Sequence, residues 1–194
     1  MLRVLLCRHG ETHDNVAGLV QGHGGGALTA AGRAQAAALG RRLAATRLDA
    51  VFCSDLARAT ETLRLVADAA ASPHPPPTLT PQLRERGGGV LEGAALAAVD
   101  EAVRAAGVPP RRFRPDGGES WEDVAHRATA FLDMCVAHSS ATRRRPPDAP
   151  RPAQARRGAA AARGRPLCAR RVARRLHTRC VCLLSTAVWR HLAP

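Results

Sequence analysis

Two short apolar runs, each followed by a polar loop and then by a helix-forming stretch, constrain the fold more than any other feature of the chain. The first run is Leu2–Cys7, and the second is the DAVFCS segment at 49–54. Mainly apolar runs of this length are typical of strands that are buried on both faces. The order strand–helix–strand–helix therefore predicts an α/β domain with a mainly parallel sheet.

Three helices are predicted from caps and composition before the last third of the domain. Thr29 can cap the stretch TAAGRAQAAALGRRLA, because its hydroxyl can accept from an unpaired N–H of the first turn. Further helices are expected within 55–70 and near 94–106.

The longest predicted helix starts after the segment PDGGES. Ser120 and Asp123 approximate a capping box at its start. An apolar face then recurs at helical spacing and ends at about His138. Its members are Trp121, Val124, Ala125, Ala128, Phe131, Leu132, Cys135 and Val136.

The net charge of +13 is confined to the C-terminal part of the chain. Residues 1–140 contain 15 Arg and 15 Asp or Glu, whereas residues 141–194 contain 14 Arg and one acid, Asp148. This Arg- and Pro-rich segment lacks an apolar period and is predicted to be disordered. The chain is thus divided into a domain at 1–138 and a tail at 139–194, whose last apolar run, CVCLLSTAVW, is either a strand or a disordered end.

A basic tail could also bind nucleic acid, and its charge would make such binding strongly dependent on salt. However, Trp189 is its only aromatic residue, so stacking on bases is unsupported. A solvated tail is favoured over a specific nucleic-acid site, and the oligomeric state is left open.

Cysteine use and hydropathy predict a cytoplasmic protein. The six Cys are scattered and do not follow a common zinc-binding spacing. Cys7 and Cys53 end apolar runs, where Cys serves as a small buried side chain. The sequence has neither a run of the roughly 20 apolar residues that a membrane span needs nor a signal-peptide layout at its start.

The strongest chemical signal is Arg8-His9-Gly10-Glu11-Thr12, directly after the first strand. In a parallel sheet this is a carboxyl end, where ligands bind. A neutral imidazole is a nucleophile toward phosphorus, an adjacent guanidinium can neutralise phosphoryl oxygens, and Gly10 lets a phosphate approach the backbone. Taken alone, the motif is equally compatible with a surface loop and an incidental Arg-His pair.

Five separated motifs extend this signal over residues 3–137. They are LCRHGETHDNVAGLVQG, LTAAGRAQAAALG, CSDLARATET, LRERGGGVLEG and PDGGES, in that order. Together they resemble the histidine phosphatase superfamily, also called the phosphoglycerate mutase-like family. The resemblance implies a three-layer phosphoglycerate mutase-like α/β fold with a mainly parallel sheet, incomplete at the C-terminus of this chain.

The resemblance also implies functions for the residues at matching positions. His9 matches the histidine that becomes phosphorylated, and Glu85 matches the carboxylic acid that protonates the leaving oxygen. The other matches belong to the phosphate pocket and comprise Arg8, Asn15, Gln21, Gly22 and Arg58. Without the resemblance, Arg58 and Glu85 would be interpreted as surface charges and Asn15 as a turn residue.

The activity implied by the resemblance is that of a phosphomonoesterase acting on a phosphorylated small molecule. LRERGGGVLEG followed by PDGGES is similar to the branch that hydrolyses fructose 2,6-bisphosphate and so lowers glycolytic flux. No metal or other cofactor is expected, because Arg8 and Arg58 supply the positive charge. A phosphoglycerate mutase would use the same residues, and a weakly active or inactive phospholigand-binding relative is the other alternative.

The sequence departs from the family pattern in three places. Gly87 and Gly88 stand where Lys-Tyr usually follows Arg-Glu-Arg, and GHGGGALT lacks the usual Asp-x-Pro-Leu. The family's second catalytic histidine, in a Ser-His-Gly motif after a late strand, has no match, because His138, His177 and His191 do not precede Gly. Loss of this donor to the transition state is expected to slow the reaction.

Overall fold

The computed structural model describes residues 2–71, 73–144 and 178–184. Its strands are β1 (Leu2–Arg8), β2 (Ala50–Ser54), β3 (Thr78–Thr80) and β4 (Thr178–Leu184). Its helices are α1 (His13–Ala17), α2 (Ala30–Leu43), α3 (Ala57–Ala70), α4 (Leu96–Ala106) and α5 (Trp121–Arg144). Two single 3₁₀ turns, Pro81–Leu83 and Gly89–Leu91, lie between β3 and α4.

The strands form one sheet in the order β1-β4-β2-β3, and every neighbouring pair is parallel. All of the described strands therefore end at the same edge of the sheet, where β1 delivers His9. The predicted parallel α/β architecture is confirmed.

Side chains of the strands alternate between two helical layers, as the pleat requires. Leu2, Val4 and Leu6 face the layer of α5, where Val124 and Phe131 are fully buried. The intervening strand positions pack instead against α2 and α3. A sheet covered on both faces is the three-layer fold that the sequence resemblance implies.

Both predicted helix caps are present. The Thr29 hydroxyl accepts from the Gly32 N–H at 2.9 Å, and Ser120 and Asp123 exchange backbone-to-side-chain hydrogen bonds of 2.7 and 3.2 Å. α5 continues to Arg144, past the end of its apolar face near His138. None of the helices that the structure describes is long and apolar enough to span a bilayer.

The segment Thr178–Leu184, within the predicted tail, forms an inner strand of the sheet, between β1 and β2. It pairs with β1 from Leu2↔Thr178 to Arg8↔Leu184 and with β2 on its other side. Of the two alternatives for the last apolar run, the structure selects a strand for these residues. Residues 145–177 and 185–194, on which the prediction of disorder also falls, lie outside the described residues, and the boundary at 138 stays a prediction.

Candidate active site

His9 follows the last residue of β1 and is 5% exposed. Its Nδ1 lies 2.7 Å from the carbonyl oxygen of Gly10. Because a carbonyl can only accept, Nδ1 carries the proton, and Nε2 is left with its lone pair. Nε2 is buried and has no hydrogen-bond partner. An unpartnered lone pair on a buried imidazole is what an attack on phosphorus requires.

The pKa of His9 is lowered from 6.5 to about 4, mainly by burial; the charges of Arg58 and Arg8 also lower it, and the hydrogen bond to Gly10 opposes the shift. The imidazole is therefore neutral over the whole physiological range of pH. Protonation would consume the Nε2 lone pair, so the positive surroundings keep His9 in the nucleophilic form.

This pKa predicts a loss of stability in acid. A proton binds His9 more tightly in the unfolded chain than in the native one. The contribution of neutral His9 to the free energy of unfolding is therefore complete above pH 6.5 and is lost as the pH falls toward 4. The free energy of unfolding should fall by about 2 kcal/mol between pH 7.5 and 5 from this residue alone.

His9→Asn, which keeps a nitrogen donor near the position of Nδ1, should lack this part of the pH dependence. Urea titrations of both proteins at the two pH values measure the difference. His126→Asn, which removes an exposed imidazole from α5, is the matched control. Equal pH dependence in His9→Asn and wild type would contradict the assignment of a low pKa to His9.

Gly10 is required by the packing of the loop rather than by room for a phosphate alone. A Cβ at this position would lie 2.4 Å from the carbonyl oxygen of Gly32, at the start of α2. The Gly10 N–H also donates to the Thr62 hydroxyl on α3 at 3.1 Å. The backbone that carries His9 is thus fixed against two helices.

Arg58 is 1% exposed and extends from the start of α3 into the Gly-rich loop 22–26. Its Nη2 and Nη1 donate to the carbonyl oxygens of Gly22 and Gly24 at 2.8 and 3.0 Å, while its Nε is buried without a partner. Arg8, by contrast, is exposed. Both guanidinium groups act electrostatically on His9, so two positive charges border the imidazole.

Asn15 and Gln21 form one hydrogen-bonded group around Thr12. Asn15 closes the capping box of α1 with Thr12, and its Nδ2 donates to the Gln21 Oε1 at 3.3 Å. Gln21 Nε2 in turn donates to the Thr12 hydroxyl. A Cβ on Gly26 would touch both Gln21 Nε2 and Arg58 Cδ, at 2.6 and 3.3 Å. Gln21 therefore borders the arginine, whereas Asn15 contacts Gln21 and has the structural use expected of a turn residue.

Glu85 lies in the loop after β3, and its charge acts on Arg58. Close packing does not account for the departure at both Gly87 and Gly88. A Cβ on Gly88 would lie 2.8 Å from the Glu92 Cγ, whereas a Cβ on Gly87 would meet only ordinary contacts at 3.5 Å or more. The Gly87 carbonyl oxygen accepts from the Glu119 N–H at 2.9 Å, so the motifs LRERGGGVLEG and PDGGES contact each other through their main chains.

A cavity of about 510 Å³ opens beside Arg58. It is lined by His23, Gly24, Gly25, Gly26, Ala27, Ala57, Arg58 and Glu61. Three of these residues are glycines of the loop that replaces the usual Asp-x-Pro-Leu, which explains why the cavity is open there. In the part of the chain that the structure describes, no cluster of His, Cys, Asp or Glu is arranged to hold a metal ion.

Three charged residues of the site were not among the predicted site residues. Glu92 accepts from the N–H groups of His23, Gly24 and Gly88 at 2.8–3.0 Å, and so joins the Gly-rich loop to the loop of Glu85. Glu119 and Arg127 form a pair beneath Glu85. In the sequence, this region indicates only a family motif, PDGGES, and the helix cap formed by Ser120 and Asp123.

The sequence of this chain is similar to known proteins along most of its described length. It matches the histidine phosphatase superfamily (branch 1) over residues 4–143. A probable phosphoglycerate mutase GpmB from Erwinia tasmaniensis is 39% identical over 140 residues, which are 70% of this chain and 64% of that protein. Fructose-2,6-bisphosphatase TIGAR B from Danio rerio is 38% identical over 154 residues, or 76% of this chain and 60% of that protein. The chain therefore spans less than two thirds of either relative.

Solved structures agree in fold. The α-ribazole phosphatase from Shigella flexneri matches with a TM-score of 0.69 at 24% identity, over 96% of this chain and 75% of that one. A phosphoglycerate mutase from Bacillus anthracis gives a TM-score of 0.68 at 20% identity, over 96% and 76% of the two chains.

Proposed function

The chain belongs to the histidine phosphatase superfamily, branch 1, and from that premise we propose that it hydrolyses fructose 2,6-bisphosphate through a phosphohistidine on His9. Members of this superfamily are phosphatases or mutases. The observation that carries the proposal is the buried, unpartnered Nε2 of His9, with Nδ1 fixed by the Gly10 carbonyl.

In the first step, His9 Nε2 attacks the phosphorus of the ester. The bond from phosphorus to the sugar oxygen breaks, and the Glu85 carboxyl gives its proton to that oxygen, so that phosphohistidine and a free hydroxyl result. In the second step, water attacks the phosphohistidine and gives a proton to the Glu85 carboxylate. The bond between nitrogen and phosphorus breaks, which releases phosphate and restores the Nε2 lone pair.

The two arginines serve the transferring phosphoryl group. Arg8 and Arg58 carry the charge that balances its three oxygens, as metal ions do in other phosphoryl transfers. Arg58 is held by the carbonyl oxygens of Gly22 and Gly24, so binding of phosphate is expected to compete with these contacts. Asn15 and Gln21 are proposed to complete the pocket through their own amide groups.

Three features are consistent with a sugar bisphosphate as the substrate. A 510 Å³ cavity beside Arg58 lies in the size range of small-molecule sites. The Danio rerio relative is a fructose-2,6-bisphosphatase, and the two Gly-rich motifs that resemble that branch contact each other. Removal of this sugar bisphosphate would lower glycolytic flux. Cys7, which is half-buried, and Cys53, which is buried, are not joined in disulfides, and unpaired thiols suit a cytoplasmic location.

A phosphoglycerate mutase is the second candidate, since the Erwinia tasmaniensis relative carries that name at 39% identity. The same phosphohistidine would then return its phosphoryl group to a phosphoglycerate instead of to water. Release of phosphate from fructose 2,6-bisphosphate, fructose 1,6-bisphosphate and 3-phosphoglycerate should be compared with interconversion of phosphoglycerates. Interconversion without hydrolysis would select the mutase, and binding without either reaction would select an inactive relative.

Glu85→Gln is expected to lower turnover by about 10²- to 10⁴-fold while substrate binding changes little, because the lost proton is needed only as the bond breaks. Glu101→Gln, at an exposed position of α4, is the control of equal chemistry. Initial rates over a range of fructose 2,6-bisphosphate concentrations give both constants. Equal losses in turnover and affinity would mark Glu85 as a binding or structural residue.

A further inference from the structure

The loop that carries Glu85 is held from below by one guanidinium group. Arg127, on α5, donates from Nη1 to the carbonyl oxygens of Gln82 and Arg84 at 2.9 and 2.7 Å, and from Nη2 to that of Glu85 at 2.9 Å. Its side chain is 16% exposed. Three main-chain acceptors within four residues of the loop thus meet a single rigid donor group.

Glu119 fixes the orientation of that donor group. Its two carboxylate oxygens accept from Nε and Nη2 of Arg127, both at 2.9 Å. All five N–H groups of the guanidinium are therefore engaged. Glu119 also accepts from the Gly87 N–H at 2.9 Å, so the loop is held on both sides of Glu85.

A third contact joins this pair to the phosphate side of the site. His23 Nε2 donates to the same Glu85 carbonyl oxygen at 2.9 Å and lies 3.7 Å from the Glu119 carboxylate. Burial opposes ionisation of Glu119, but the hydrogen bonds from Arg127 and Gly87 outweigh it and lower its pKa. The carboxylate therefore stays charged at neutral pH and keeps its hold on Arg127.

Other residues anchor the side chains on either side of Glu85, so Arg127 and His23 are left to fix the main chain at Glu85 itself. Arg84 is paired with Asp55 at the end of β2, and the Arg86 guanidinium lies 5.1 Å from the ring of Trp121. Glu85 lies between these two anchors, and its own main chain is fixed by Arg127 and His23.

We propose that Arg127, oriented by Glu119, is a positioning residue that sets where the Glu85 carboxyl meets the leaving oxygen. This inference rests on the proposed function, and it assigns to the pair a task in proton transfer rather than in binding. Lysine at position 127 would keep the charge but could not donate to three carbonyl oxygens and a carboxylate at once. The main chain at Glu85 would then shift, and a displacement of about 1 Å can cost roughly 10²-fold in rate.

A double-mutant cycle tests the proposal. The rate of phosphohistidine formation is measured in single turnovers with fructose 2,6-bisphosphate for wild type, Arg127→Lys, Glu85→Gln and the double variant. Arg127→Lys should slow wild type by about 10- to 100-fold with little change in substrate affinity, and should not slow Glu85→Gln further. Arg112→Lys, which alters an exposed pair with Glu122, is the control and should match wild type.

A second readout uses p-nitrophenyl phosphate, whose leaving oxygen needs little help from an acid. Arg127→Lys should form phosphohistidine from this ester at nearly the wild-type rate. A merely structural residue would slow both substrates equally and would slow the Glu85→Gln variant as well, and either result would overturn the proposal. If Arg127→Lys does not fold, Glu119→Gln takes its place. It sets an amide N–H₂ against the N–H donors of Arg127 and should likewise slow the reaction of fructose 2,6-bisphosphate but not that of p-nitrophenyl phosphate.

The failure of the proposed function is distinguishable from the failure of this inference. If the wild-type chain forms no phosphohistidine from either ester, the proposed function falls and the inference falls with it. If wild type forms the adduct and Arg127→Lys does so equally fast from fructose 2,6-bisphosphate, only the inference is overturned.

Discussion

Replacing His9 with Asn is expected to abolish the phosphoryl adduct of this protein and to lower turnover by roughly 10⁴-fold or more. Asparagine can reproduce the donor to the Gly10 carbonyl, which the wild-type imidazole contacts at 2.7 Å. It has no counterpart of Nε2, the buried nitrogen without a partner. The substitution thus removes the nucleophile while it keeps the hydrogen bond that shapes the loop.

The measurement is the incorporation of label from ³²P-labelled fructose 2,6-bisphosphate. Wild type should give an adduct that is labile in acid and stable in alkali, as a bond between phosphorus and imidazole nitrogen is. His13→Asn, four residues further along on α1 and exposed, controls for the loss of an imidazole close to the site. An adduct that persists in His9→Asn with the same stability would assign the phosphoryl group to another residue.

The second large effect that we expect is an increase in turnover. β4 ends at Leu184, which pairs with Arg8, the residue before His9. Ser185, Thr186 and Ala187 follow in the sequence, where the family places Ser-His-Gly after its late strand. Thr186→His with Ala187→Gly is therefore expected to supply the missing donor to the transferring phosphoryl group and to raise turnover by about 10²- to 10³-fold.

Steady-state rates on fructose 2,6-bisphosphate measure this gain. Thr178→His makes the same change at the opposite end of β4, beside Leu2, and should gain nothing. The double change should also gain nothing in His9→Asn, because it assists only a phosphoryl group that is moving to His9. If the double change raises turnover in His9→Asn, or if it does not raise turnover in the wild type, the segment after β4 does not assist phosphoryl transfer to His9.

Local signals were sufficient for most of the fold before β4. The strands that precede His9 and contain Cys53 are apolar runs in the sequence, and the cap residues Thr29 and Ser120 act within three residues of themselves. Such interactions depend on neighbouring positions only, so they can be recognised from sequence. The short helix α1 was not recognised, because its five residues bury no side chain fully and so leave no apolar period.

The position of β4 could not be obtained in this way. A parallel strand is defined by its two neighbours, and the neighbours of Thr178–Leu184 are β1 and β2, far away in the sequence. Its own residues, at the edge of an Arg-rich segment, were compatible with either a strand or a disordered end. Pairing between distant segments is a property of the assembled sheet, and no local pattern reports it.

The residues of the candidate site divide in the same way, into those that local motifs predict and those that only the folded chain brings together. His9, Arg58 and Glu85 were proposed from motifs, and the electrostatic contacts of the structure link all three. Arg127 and Glu119 were missed because charged side chains are most often solvated, and nothing in the sequence indicates that Arg127 would be 16% exposed. Three of the five acceptors that engage it are main-chain carbonyl groups, which have no signature in sequence.

The central place of β4 also bears on how the chain is made. Among the described strands, β1 is paired only with β4, although almost the whole chain is synthesised between them. A nascent chain therefore leaves the ribosome with the backbone N–H and C=O groups of β1 unpaired on that edge. Contacts between such distant segments form slowly, and strand edges promote aggregation for as long as they remain unpaired. Synthesis of this protein is thus expected to depend on chaperones until residues 178–184 emerge and enter the gap between β1 and β2.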